Sequence, residues 1–310
     1  MAHDHQHGGP AHRDHQHGRH EHHQHQHQHG GGDAADVAAM AEMLDLDAEV
    51  LHSYLSDLTA WIRELAGERP PRRILDLGSG TGAGSFALLE RFDGTEVIAL
   101  DASEPMLRHL EAAARERGLA DRIRTVQADL DASRPELEPV DLVWASASLH
   151  HMADPDRVLA DVLTMLRPDG LMIAVEPDAF PRFLPDDLGF GRPGLEERCH
   201  AAMAEWRAAQ MPHFGADWGP LLAKAGFSVE AERVFTIDLT PPLPDSAGRY
   251  AQASLRRMRT GLDGVLDSDD LAALDRLLDD DGGPGSVLRR DDLHVRARRM
   301  AWAARRPQTT

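Results

Sequence analysis

The sequence predicts an α/β fold: an open, mostly parallel sheet with helices on both faces and a C-terminal antiparallel hairpin. Three observations predict it. Strand-like and helix-like segments alternate from Arg72 onward, as crossover connections between parallel strands require. The run Arg73-Ile74-Leu75-Asp76-Leu77 enters a glycine-rich turn, Gly78-Ser79-Gly80-Thr81-Gly82, that leads into a helix. Two further strand-like runs, 227–239 and 293–305, are suited to pair antiparallel.

The elements follow in order. Residues 1–32 hold 12 of the 19 histidines, mixed with Gln, Gly and Asp. So little apolar surface cannot offset the entropy of ordering, and a disordered tail is expected. Its irregular spacing is unlike a cloning tag. Over 34–66 the apolar residues recur at three- and four-residue steps, which predicts helices ending at Gly67. Strands are expected at 73–77, 96–100, 123–127, 140–145 and 170–176, with helices near 82–91, 104–117 and 154–167. A helix closes over 221–225, before Gly226. Two long stretches, 178–213 (with a helix around 194–210) and 241–292, are insertions at the strand ends, where such folds vary their pockets. The run 293–305 alternates in part, as an edge-facing strand does.

Composition excludes several functions. The net charge is -19, from 33 Lys+Arg against 52 Asp+Glu, and such a surface repels phosphate backbones, so nucleic acid is not the expected partner. The single cysteine, Cys199, permits no intrachain disulfide and no chemistry that needs several thiolates. No run approaches the roughly 20 apolar residues that cross a bilayer, and no apolar signal core follows Met1. No membrane partner and a cytoplasmic location are the expectation. The oligomeric state is left open.

The chemistry-bearing segments come next. Glycines in the turn let backbone approach a ligand, and the following helix offers free N–H groups and a positive dipole end. Gly78, Gly80 and Ala83 also satisfy the loose dinucleotide pattern G-x-G-x-x-G/A, so the loop alone leaves the ligand open. Asp101 ends the second strand, where a carboxylate can accept ribose hydroxyls. Asp129 and Leu130 follow the third strand. The fourth runs to Ser146 and opens into Leu149-His150-His151-Met152.

In that order, residues 74–176 resemble the class I S-adenosylmethionine (SAM)-dependent methyltransferases, a Rossmann-like family. They are similar in particular to small-molecule enzymes of the ubiquinone/menaquinone-biosynthesis type. The resemblance implies that Asp76, Gly78, Ser79, Gly80 and Gly82 hold the methionine part of SAM. It implies that Asp101 binds the ribose with Ala102 beside it, that Met106 and Asp129 lie near the adenine with Leu130, and that Ser146 joins this cofactor set. Leu149–Met152 matches the family's segment after strand four, and Leu166-Arg167-Pro168-Asp169-Gly170-Leu171 its turn before strand five. The implied organisation is a tail (1–32), a helical lid over the cofactor (33–69) carrying Tyr54 and Trp61, and a methyltransferase domain (70–310) whose insertions form the substrate pocket.

The implied reaction is methyl transfer to a small-molecule acceptor, with oxygen, nitrogen or carbon as the target. SAM arrives with an activated methyl group, so alignment and water exclusion are the protein's main tasks. His151 is the candidate base, with Glu176 and His213 behind it. His200, Met203, Trp206, Arg207, Tyr250, Leu255, Met258 and Leu262 are pocket candidates, against the alternative that they pack a core. In the tail, His22, His23, His25, His27 and His29 are expected to bind Ni²⁺, Zn²⁺ or Cu²⁺ weakly and without a catalytic role. The competing functions are an NAD(P)-dependent oxidoreductase and a metal-binding or regulatory protein on the same fold.

Overall fold

The computed structural model describes residues 34–308 and Met1. The rest of the histidine-rich segment, with its five candidate metal ligands, lies outside the described residues.

Two helices come first, α1 (Ala34–Val50) and α2 (His52–Ala66). The sheet then begins: β1 (Arg73–Leu77), α3 (Ala83–Arg91), β2 (Glu96–Asp101), α4 (Glu104–Glu116), β3 (Ile123–Gln127), β4 (Val140–Ser146), α5 (Pro155–Met165) and β5 (Leu166–Pro177). The remaining elements are α6 (Leu195–Ala202), α7 (Ala204–Gln210), α8 (Trp218–Lys224), β6 (Ser228–Leu239), α9 (Ala247–Arg259), α10 (Ser268–Leu277) and β7 (Val295–Arg305). Local chemistry sets several starts. Ser103 accepts from the Met106 amide to cap α4, Asp154 accepts from the Arg157 amide to cap α5, and prolines occupy the first turn of both helices.

Among the described residues the strands form one sheet, ordered β3-β2-β1-β4-β5-β7-β6. The first five run parallel; β7 pairs antiparallel with both β5 and β6. The chain winds outward from β1 to β3, returns to β4 and winds the other way. The strand order therefore reverses between β1 and β4, and the carboxyl ends at such a switch point are where open α/β sheets bind ligands.

Three expectations need correcting. The run ending in 305 is not at the edge: β7 lies between β5 and β6, and β6 is the edge strand, largely exposed along its length. The stretch Ala301-Trp302-Ala303-Ala304 is buried on both faces, which is why alternation fades there. The helix expected to reach 167 stops at Met165, because Arg167 precedes Pro168 and is disfavoured in the helical region. Leu166 instead pairs with Val140. The helix expected around 194–210 breaks at Met203 into α6 and α7.

Side chains leave the strands alternately to two cores. Ile74, Leu142 and Ile173 pack under Leu58, Trp61 and Ile62 of α2 and Leu88 of α3. Leu75, Leu77, Val143 and Met172 pack under Leu159 and Val162 of α5 and Trp218 of α8. A further core joins α1, α6, α9 and α10 to the ends of β6 and β7. Pro177 pairs with Arg299, so this assembly caps the carboxyl edge of the parallel strands.

Candidate active site at the carboxyl edge of the sheet

The glycine loop is tied to the next strand by its own backbone. The Gly78 and Ser79 amides both donate to the Leu100 carbonyl, at 2.8 and 3.0 Å. Gly78 has φ +68°, and a Cβ there would stand 2.5 Å from Ser148 Cβ, so only glycine lets the loops after β1 and β4 meet. Asp101 braces the loop from beyond β2: Oδ2 accepts from the Gly80 amide (2.9 Å) and Oδ1 from the Ser103 amide (2.8 Å). Each carboxylate oxygen keeps acceptor capacity for a ligand hydroxyl.

Asp76 is buried, and Ser85 Oγ donates to it at 2.6 Å. Burial pushes its carboxyl up to about 7, and the nearby Asp101 charge adds to the shift against the Ser85 hydrogen bond. The hydroxyls of Ser79 and Ser148 are buried without a hydrogen-bond partner among the described residues. Polar groups left unpaired beside a glycine cradle fit a polar ligand that would complete them.

The other wall comes from β4 and β5. Beyond Ser146, Ala147 adopts φ +51° and its amide donates to the Val175 carbonyl. The chain then wraps Glu176, whose Oε1 accepts from the Ser148 and Leu149 amides (3.1 and 2.8 Å). Glu176 Oε2 holds Nδ1 of His150. Both side chains are buried, whereas His151 is exposed on the same short 3₁₀ turn, its ring centroid 4.1 Å from that of His150. Phe214 meets His150 edge-on at 5.2 Å and stacks obliquely on Phe180 at 4.8 Å.

The structure gathers Asp76, Gly78, Ser79, Gly80, Gly82, Asp101, Ala102 and Met106 around the loop and the start of α4, with Met106 buried. Asp129, Leu130 and Ser146 lie at the ends of β3 and β4, on the same edge. Asp129 is exposed and accepts from the Asp131 amide, while Leu130 is buried. Sequence reasoning missed Asp131, whose oxygens both accept from the Ala153 amide at 3.0 Å and tie the segment after β3 to the start of α5. Its signal was present, an Asp two residues after Asp129.

Above the sheet stands the cap. Tyr250 Oη donates to Asp47 of α1 at 2.5 Å, and Arg299 of β7 reaches the same oxygen at 3.3 Å. Burial raises the Tyr54 and Tyr250 hydroxyls above their ordinary value. Leu44 of α1 lies over the loop, 3.2 Å from where a Gly80 Cβ would stand. Of the insertion candidates, Met203, Tyr250, Leu255, Met258 and Leu262 are core residues. His200 is buried, and desolvation pushes its imidazole down to about 4. Trp206 is exposed, and His213 lies beside Trp218. Asp47 and Arg299 were also missed, and no local motif marks them.

Comparison with known proteins finds similarity over the glycine loop and the parallel strands. A family model described as "Methyltransferase domain" matches residues 74–170. These residues are similar to that domain family. The chain is 36% identical over 139 residues to a trans-aconitate 2-methyltransferase of Acidovorax ebreus, covering 44% of this chain and 51% of the relative. It is 35% identical over 129 residues to a demethylmenaquinone methyltransferase of Thermus thermophilus, covering 41% and 57%. The chain thus spans about half the length of these curated relatives. A crystal structure from Bacillus halodurans, titled as a candidate methyltransferase, aligns with TM-score 0.51 at 17% identity, covering 81% of this chain and 99% of that one. That likeness shows the fold, in which the matched residues 74–170 carry β1 to β4 and the start of β5 and the later segments supply the hairpin and cap.

Proposed function

We propose that the chain transfers the methyl group of SAM to a small-molecule acceptor bound between the methyltransferase domain and the cap. The observation that carries this reading is the brace between Asp101 and the Gly80 amide at the switch point of the sheet, beside the unpartnered Ser79 hydroxyl. Bound there, SAM would supply a methyl group already activated by its sulfonium charge. Gly78, Ser79, Gly80 and Gly82 cradle its methionine end, Asp101 the ribose with Ala102, and Met106, Asp129 and Leu130 the adenine side; Asp76 holds the loop to α3 through Ser85, and Ser146 borders the methyl-bearing end. The relatives named for trans-aconitate and demethylmenaquinone favour a small acceptor.

In this reading the chain's own work is alignment and exclusion of water. Residues 33–69 act as a lid, supported by Leu44 over the loop and by the Asp47–Tyr250–Arg299 contact that holds α1 down. His150 is a positioning residue, its ring held by Glu176 and abutted by Phe214. His151, on the exposed side of the same turn, is the candidate base for acceptors that must lose a proton. No helix among the described residues is long and apolar enough to cross a membrane, and a cytoplasmic location is part of the proposal. The tail's histidines are proposed to bind Ni²⁺, Zn²⁺ or Cu²⁺ apart from catalysis, on composition alone.

Thermal shift with SAM, S-adenosylhomocysteine and NAD(P) tests the cofactor. Stabilisation by the first two is expected, and stabilisation by NAD(P) alone would overturn the reading in favour of an oxidoreductase. Transfer of tritium from labelled SAM to small molecules of a cell extract then tests the reaction.

A further inference from the structure

Among the described residues two histidines are buried, and the fold treats them differently. His150 is held through Nδ1 by Glu176, near the end of β5. His200 of α6 is only 6% exposed, and its Nε2 is buried without a hydrogen-bond partner among the described residues. A buried polar atom left unpaired costs about 1–3 kcal/mol, a loss that a ligand able to complete the bond would remove.

Helix α6 turns this side chain toward the carboxyl edge of the sheet. Leu195 and Cys199 enter the apolar core of the cap. On the neighbouring face Glu196, one turn before His200, accepts from the Phe183 and Leu184 amides at 2.8 and 3.2 Å. That face is thereby pinned to the segment leaving β5, and His200 meets Phe180 of the same segment with ring centroids 6.5 Å apart. Phe180 stacks on Phe214 at 4.8 Å, and Phe214 meets His150 at 5.2 Å, so one run of rings leads from His200 to the turn after β4. The Phe214 turn is itself seated on that segment: a Cβ on Gly215 would stand 3.1 Å from the Asp178 carbonyl. Since β5 neighbours β4, the run borders the switch point on the side away from β2.

The chemistry of the ring narrows what it can bind. Burial holds the imidazole down to about 4, and the charges of Arg182, Arg207 and Arg296 push the same way, against that of Glu197. Such a ring carries no charge at pH 7 to attract a carboxylate and is a weak base; what it offers is a directed hydrogen bond. The three guanidiniums also disfavour a cationic guest. We infer that His200 is an acceptor-binding residue, its Nε2 hydrogen-bonded to an uncharged hydroxyl, carbonyl or amide group of the acceptor beside the Phe180 ring. This rests on the methyltransferase reading and adds a residue that selects the acceptor. A buried nitrogen placed for such a bond rejects molecules lacking the polar group more strongly than an apolar wall rejects a change of one methylene.

The test compares phenol with toluene, two rings of one shape that differ in the hydroxyl, by ligand-observed NMR titration of the full chain with and without S-adenosylhomocysteine. Phenol is expected to bind about tenfold more tightly. His200→Leu removes both ring nitrogens at similar volume and should abolish that preference while toluene binds as before. His200→Gln keeps polar atoms and should retain part of it. In the ligand-free protein His200→Leu should melt no lower than the natural chain, because an unpaired buried atom has been removed. An imidazole with a purely structural role would instead leave that variant less stable. Failure of phenol to bind, equal binding of phenol and toluene, a preference that survives in His200→Leu, or a lower melting temperature of that variant would each overturn the inference. Affinity for S-adenosylhomocysteine is read separately by calorimetry, so its absence with the phenol preference intact would count against the cofactor and spare His200.

Discussion

The two walls of the candidate site are built by different means. Around the glycine loop, the key polar contacts join a side chain to a backbone amide 20 to 30 residues away: Asp101 to Gly80 over 21 residues, Glu176 to Leu149 over 27. In the cap, side chains meet side chains across nearly the whole chain, Tyr250 with Asp47 over 203 residues and Arg299 with Asp47 over 252. The first kind of wall is fixed by one crossover unit at a time. The second exists only once the whole molecule is assembled. The loop wall should therefore tolerate no change in backbone approach, while the cap wall should yield locally when a side chain is altered.

The largest expected effect lies in the loop. Gly78→Val places a branched side chain at φ +68°, with its Cβ 2.5 Å from Ser148 Cβ. Backbone strain of about 1 kcal/mol adds to overpacking of about 1–3 kcal/mol, and the loops after β1 and β4 must separate. Calorimetry should show S-adenosylhomocysteine affinity falling by about 100-fold or more. Gly94→Ala is the control: φ is +71°, but nothing lies within 4 Å of the new Cβ. It should cost about 1 kcal/mol of stability and leave affinity intact. Equal affinity loss in both would mean that strain, not close approach, makes Gly78 necessary.

That contrast also explains what could be read in the sequence. Strand β1, the loop, Asp101 and the helix starts at Ser103 and Asp154 are local signals with fixed spacing, and each stands within a residue or two of expectation. The place of β7 was not legible, because the small residues Ala301, Ala303 and Ala304 satisfy a strand pattern at an edge or in the interior equally well. Nor was the choice between His150 and His151 legible: two adjacent identical side chains differ only in which one Glu176 reaches. Met203 and Met258 were pocket candidates although such residues at helical spacing more often pack a core, and the cap's own apolar cluster holds both. Asp47 and Arg299 are an ordinary helix acid and an ordinary strand arginine until the fold brings them together.

A second effect tests how the loop wall uses its buried acid. With Asp76 pushed up to about 7, the folded state holds a proton that the unfolded chain, near its ordinary 3.8, releases much earlier. The stabilisation from that neutral buried carboxyl is fully present below about pH 4 and is lost as pH rises toward 7. Asp76→Asn removes the titration and keeps an acceptor for Ser85. The stability of the natural protein relative to the variant should therefore fall between pH 4 and 7, by on the order of 4 kcal/mol. Denaturant melts across that range measure it. A flat difference would show that Asp76 is ionised in the fold and that the loop wall carries a true charge.

The smallest effect belongs to the cap, and it is where the comparison is most open to refutation. Asp47→Ala leaves the Tyr250 hydroxyl and the Arg299 guanidinium without the carboxylate they share, Arg299 being only about 10% exposed. A fully buried pair broken this way costs about 3–5 kcal/mol. Asp47 is 31% exposed, so water screens the loss and about 1–2 kcal/mol is expected. What matters is where the loss appears. Since α1 bears on α9 and the loop through Met40, Leu44 and Asp47, amide exchange should quicken along α1 while β1, β4 and β5 keep their protection. Affinity for S-adenosylhomocysteine should fall less than tenfold, because the brace of Asp101 on Gly80 is untouched. If exchange quickened equally through the parallel strands, cap and sheet would unfold as one unit. The lid role of α1 would then lose its physical basis, since a lid must open without melting what it covers.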